Sequence, residues 1–198
     1  MPHIDCFFGT FSPFTYLAGL RFEEIAASNG ASVTYKPLDL MALFSRTGGT
    51  PPKDRHPNRQ SYRLQELARI GTRTGLPLTL KPAHFPTNPA PSSYAFIAAQ
   101  KAGGGDLGKL RFAIGRSCWA DELDIADDSV IRACLEEAGF DPGLADRGLL
   151  AGAEEYAANL EEAIDRGAFG APFYITDTDE RFWGQDRLDH LEWHLKGR

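Results

Sequence analysis

The first residues alternate. His3-Ile4-Asp5-Cys6 sets polar against apolar side chains and runs into Phe7-Phe8, which predicts a short strand with its apolar face in a core. Beyond the turn Gly9-Thr10-Phe11, Ser12 occupies a helix N-cap position and Pro13 the first helical residue, where its missing N–H is harmless. Ala18, Phe22, Ile25 and Ala26 then recur at helical spacing as far as Asn29-Gly30, so one continuous helix is predicted. Ser32-Val33-Thr34-Tyr35-Lys36-Pro37 returns to a strand pattern. A helical crossover makes the two strands parallel, giving an N-terminal β-α-β unit.

From about residue 40 to 152 no strand pattern appears. Four apolar stripes predict amphipathic helices: Leu64, Leu67 and Ala68; Tyr94, Ile97 and Ala98; Leu107, Leu110, Ile114 and Cys118; Ile131, Cys134, Leu135 and Ala138. Two proline-stiffened loops, at residues 48–52 and 81–89, separate them, and ordered loops of this kind often carry ligand contacts. A further helix holds Ala153, Ala157, Leu160 and Ile164 and stops at Arg166-Gly167. Residues 170–175 then form an apolar strand with Pro172 as its first residue or on an exposed edge. Arg181-Phe182-Trp183 is its hairpin partner across 176–180, and 186–195 a closing helix with Leu188, Leu191 and Leu195 inward. The order predicts an α/β thioredoxin-like fold with a large all-helical insertion. Residues 1–40 and 153–198 make up the thioredoxin-like domain, and 41–152 the insertion.

Composition narrows the function. The chain has 198 residues, 42% hydrophobic and 24% charged, enough for one sizeable core and unlike a disordered chain. A net charge of −6 argues against nucleic acid as a partner. No apolar run approaches a membrane span and the first residues lack a signal-peptide plan, so no membrane partner and a cytoplasmic location are expected. Cys6, Cys118 and Cys134 show neither a C-x-x-C pair nor metal-ligand spacing, so they predict buried hydrophobes and no metal site.

In a thioredoxin-type fold the chemistry sits at the start of the first helix, here Ser12-Pro13-Phe14-Thr15. Disulfide exchange needs two sulfurs there, and serine supplies none. What remains is a hydroxyl beside a positive helix end, suited to another molecule's thiolate, or a plain N-cap. In Phe169-Gly170-Ala171-Pro172, the backbone before a strand-opening proline is either open to an extended peptide or part of a simple turn. In Trp183-Gly184-Gln185-Asp186-Arg187, polar groups at a helix start either clamp a carboxylate and an ammonium, or Asp186 caps its own helix.

Together, Phe11-Ser12-Pro13-Phe14-Thr15-Tyr16-Leu17, Phe169-Gly170-Ala171-Pro172 and Trp183-Gly184-Gln185-Asp186-Arg187-Leu188 resemble the signatures of the 2-hydroxychromene-2-carboxylate isomerase and kappa-class glutathione transferase family, in order and spacing. The resemblance implies a DsbA-like architecture, bound glutathione and a homodimer. It implies that Ser12 hydrogen-bonds the glutathione sulfur, that Ala171 before a cis Pro172 pairs with the cysteinyl unit, and that Trp183, Gly184, Gln185 and Asp186, adjoined by Arg187, hold the γ-glutamyl end. A glutathione-dependent isomerase acting on an aromatic-degradation intermediate is the activity implied. The alternatives are a kappa-like transferase or peroxidase taking an electrophile, and a non-catalytic thiol- or peptide-binding module. On the substrate side the chain departs from the family: its lysine after the second strand is Phe44 here, and its later aromatic hydroxyl is Phe85. Lys53, Arg55, Arg59 and Phe85 are the candidates for that pocket, the other reading being surface charges and a core aromatic.

Overall fold

β1 (His3–Phe8) and β2 (Ser32–Pro37) pair in parallel with Cys6 opposite Tyr35, in a computed structural model that describes residues 1–197. The last residue of the C-terminal segment 153–198 thus lies outside the described residues. β3 (Phe173–Thr176) runs antiparallel on the other side of β1, and β4 (Arg181–Trp183) completes a four-stranded sheet of order β2-β1-β3-β4. The strand predicted over 170–175 is corrected at its start. Pro172 precedes β3 instead of opening it, and β3 is interior: a residue without an N–H cannot donate into a ladder flanked on both sides.

The single helix predicted after Ser12 is two, α1 (Pro13–Leu17) and α2 (Arg21–Ser28). Gly19 turns the chain between them at φ +59°, a conformation costly for residues with a Cβ. The apolar stripe runs straight through the break, which is why spacing alone misses it. Arg111, from a later helix and only 3% exposed, holds the break in place. Its Nη1 donates to the Thr15 carbonyl at 2.8 Å and its Nη2 to the Gly19 carbonyl, while Nε and Nη2 reach the Glu23 carboxylate at 3.0 and 2.9 Å. Carbonyls that a helix break leaves open thereby find buried donors. Burial opposes the charge on Arg111, yet the adjoining Glu23 outweighs it and keeps the guanidinium above its usual range. Glu23 also accepts the Tyr35 hydroxyl at 3.0 Å. Gly19→Ala is expected to lower stability by about 1–2 kcal/mol in urea unfolding, and Gly19→Asn by less, since asparagine tolerates the left-handed region. The site for a Cβ there is open, with Leu76 no nearer than 3.7 Å, so the penalty is conformational.

Between β2 and β3 the chain is helical: α3 (Leu40–Arg46), α4 (Pro57–Thr74), α5 (Ala90–Ala102), α6 (Leu107–Trp119), α7 (Asp128–Glu137), α8 (Leu144–Arg147) and α9 (Leu149–Asp165). The four stripes correspond to α4 through α7. The short α3 and α8 carry too few turns for a periodic signal, and α9 begins at Leu149, one turn ahead of Ala153. α10 (Leu188–Lys196) closes the chain with Leu188, Leu191 and Leu195 buried.

Side-chain amides join these helices to the sheet. β2 is an edge strand, and Gln100 of α5 satisfies its outer face by accepting from the Tyr35 N–H at 2.9 Å and donating to the Tyr35 carbonyl at 3.0 Å. Asn159 of α9 donates to the Pro37 carbonyl at 3.0 Å. The core is aromatic where sheet meets helix, with Phe8 edge-on to Phe96 at 5.2 Å and Phe22 against Tyr174 at 4.6 Å. All three cysteines are buried and free, and burial pushes their thiols up, that of Cys118 to about 12. They are protonated and unreactive at neutral pH. Among the described residues no helix is long and apolar enough to cross a membrane.

Candidate functional site

The three segments singled out in the sequence converge on one cavity of ≈ 1030 Å³. The start of α1 forms part of its wall. Ser12 is extended (φ −76°, ψ 123°), 3% exposed, and its Oγ accepts from the Thr15 N–H at 3.3 Å, so it does cap the helix. Capping uses the oxygen as acceptor; the hydroxyl's own proton meets no acceptor among the described residues. Thr15 Oγ1, buried beneath, is likewise without a partner among them. Because α1 has only five residues, the dipole expected from a long first helix is reduced, and the hydroxyl carries more of any stabilisation of an anion.

Gly170 and Ala171 form the adjoining wall. The Ala171–Pro172 peptide bond is cis. Neither the N–H nor the C=O of Ala171 bonds to a described residue, whereas the Pro172 carbonyl accepts from the Gly184 N–H at 2.8 Å. That bond ties the second segment to the third. Pro172 itself stands behind Ala171 and does not line the cavity. Trp183 ends β4, edge-on to Phe169 at 4.9 Å, and Gly184 takes φ +97°. A Cβ at Gly184 would sit 2.5 Å from Asp186 Oδ1, so glycine is what lets the carboxylate turn back over the chain. Gln185–Arg187 is one turn of 3₁₀ helix leading into α10. Asp186 does not cap it; its Oδ2 pairs with Arg187 Nη1 at 2.9 Å, and both side chains are exposed. Trp183, Gly184, Gln185, Asp186 and Arg187 all face the same space as Ser12.

Of the substrate-side candidates, Lys53, Arg55 and Phe85 line the cavity and Arg59 does not, being exposed on α4. One turn further along α4, Arg63 does line it, and the sequence reading passed over it. Its guanidinium lies over the Phe14 ring at 5.9 Å, and that of Arg55 over Phe44 at 5.5 Å, with Arg55 Nε donating to the Thr50 carbonyl at 2.7 Å. Burial lowers both guanidinium groups, reinforced at Arg63 by Arg55 and at Arg55 by Arg59. Their spacing of four residues along the chain, 55, 59 and 63, was the available signal. Phe85, stacked on Phe11 at 6.1 Å and against Trp119 at 4.7 Å, makes an apolar wall. Tyr156 of α9, outside the stripe of Ala153, Ala157, Leu160 and Ile164, also reaches the cavity; burial raises its phenol, so it stays a neutral hydroxyl. Among the described residues no group of His, Cys, Asp and Glu is placed to hold a metal ion.

A family model described as a DSBA-like thioredoxin domain matches residues 3–196. A 2-hydroxychromene-2-carboxylate isomerase from Sphingobium xenophagum is 31% identical over 195 residues, covering 97% of each chain. Another from Pseudomonas putida is 27% identical over 192 residues, 96% of this chain and 92% of its own. Among solved structures, a 2-hydroxychromene-2-carboxylate isomerase superposes with a TM-score of 0.78 at 26% identity, over 98% of this chain and 94% of its own.

Proposed function

The chain belongs to the DsbA-like thioredoxin family, and from that premise we propose that it is a glutathione-dependent isomerase of 2-hydroxychromene-2-carboxylate or a close aromatic relative. The relatives' names support the isomerase class. The observation that carries the glutathione reading is Ser12, a buried hydroxyl with an uncommitted proton on a cavity large enough for a tripeptide and a bicyclic acid together. The surroundings fit that ligand: Ala171 offers an open N–H and C=O for the cysteinyl unit, and Asp186 a carboxylate for the α-ammonium.

Bound glutathione supplies a thiolate able to add to a conjugated carbon and leave again, so it is not consumed. Ser12 donates its proton in a hydrogen bond to the sulfur, favouring the thiolate over the thiol. Phe85 and Phe11 exclude water beside it, and the neutral Tyr156 hydroxyl is a further donor on the cavity wall. The chain's own thiols, buried and protonated, take no part.

Titration calorimetry with glutathione at neutral pH tests this reading. Saturable binding is expected, about tenfold weaker in Asp186→Ala, the loss of one hydrogen bond to a charged group. Well-folded wild type that takes up no glutathione rejects it. Binding without glutathione-dependent conversion of 2-hydroxychromene-2-carboxylate would point instead to a non-catalytic binder.

A further inference from the structure

Arg63 breaks the ordinary rule for guanidinium groups. It is half-buried in a chain of net charge −6, yet no described carboxylate lies within ion-pair range, and no described atom accepts a hydrogen bond from it. Arg21, Arg46, Arg111, Arg116 and Arg132, by contrast, each hold a carboxylate. Among the described residues Arg55 is also without a carboxylate; its Nε is committed to Thr50, and its remaining donors meet no described acceptor. Glu66, on the same wall, is engaged by Arg69 at 2.5 Å. The rings of Phe14 and Phe44 offset part of the desolvation of the two cations but offer no hydrogen-bond acceptor in their plane. Two guanidinium groups thus share one cavity wall, each backed by an aromatic face, with the whole fork of Arg63 and the Nη donors of Arg55 meeting no described acceptor.

We propose that Arg63 and Arg55 form a carboxylate clamp within the cavity, with Arg63 the principal member. A planar carboxylate fills a guanidinium fork with paired hydrogen bonds and relieves the repulsion between the two cations. Two carboxylates are on offer if the proposed function holds, the glycyl end of glutathione and the acid group of the aromatic substrate. The clamp itself does not depend on that reading.

Four probes in calorimetry separate the cases: coumarin-3-carboxylate against neutral coumarin, and glutathione against γ-glutamylcysteine, which lacks the glycyl carboxylate. Arg63→Met is expected to weaken coumarin-3-carboxylate about tenfold and leave coumarin unchanged, which assigns the clamp to the substrate. If instead glutathione weakens while γ-glutamylcysteine holds, the clamp takes the glycyl carboxylate. Arg55→Met should give the same pattern with a smaller loss, and Arg63→Lys, which keeps the charge without the fork, an intermediate one. Equal losses within both pairs, or no binding of either carboxylate by wild type, overturn the proposal. Arg63→Met removes an unpaired half-buried charge, so its Tm should equal or exceed that of wild type, which keeps misfolding from passing as lost affinity. Failure to bind glutathione, with the coumarin pair still split, would leave the clamp standing and remove the glutathione reading alone.

Discussion

Arg111→Met is expected to lower the unfolding free energy by about 3–5 kcal/mol, the range for removing one partner of a buried ion pair. The substitution leaves Glu23 without its counter-ion and takes the donors away from the Thr15 and Gly19 carbonyls. Methionine fills much of the volume, so the loss comes from unpaired polar groups rather than a cavity. Adding Glu23→Gln should recover part of it, because the stranded charge goes too, and the double variant should lose less than the two singles summed. Urea unfolding followed by circular dichroism measures all three. A loss below about 1 kcal/mol would mean that the break between α1 and α2 holds without Arg111.

Ser12→Ala is expected to lower kcat about a hundredfold, the scale on which a single donor to a reacting anion acts. The pH profile adds a sign. A wild-type site that favours thiolate has its rising limb below the ~8.5 of a free thiol, and removal of the hydroxyl moves that limb up toward it. Serine is also the cap of α1, so alanine lowers stability by about 0.5–2 kcal/mol. Ser12→Asp separates the two roles. Aspartate caps a helix as well as serine, but it brings a negative charge and no proton, so the cap should be kept and activity lost. An active Ser12→Asp enzyme would sink the assignment of Ser12 as donor.

These two residues also mark where the sequence is and is not legible. Ser12 and the segment from Trp183 to Arg187 stand out locally, because caps, turns and strand ends are written in neighbouring residues. β1 and β2 are equally plain, since alternation is a short-range signal. The break after Leu17 is not, because Ala18, Phe22 and Ile25 keep helical spacing across it while the group that secures it lies on α6. Arg63 is hidden for a related reason. An arginine on the polar side of a helix reads as solvated until tertiary structure lays Phe14 beneath it. Arg59, one turn earlier with the same chemistry, is the exposed one.

The sheet is closed by segments far apart along the chain: β1 needs β3 against its inner edge, with Ile4 opposite Thr176. During synthesis, β1 and β2 leave the ribosome ahead of β3, and every helix of the insertion follows them before that edge can be covered. An uncovered strand edge is a template for pairing with other chains. Expression yield should therefore respond more to conditions that shield nascent chains than the finished protein's stability implies, and fragments that stop before Phe173 should aggregate even though they contain the β-α-β unit intact.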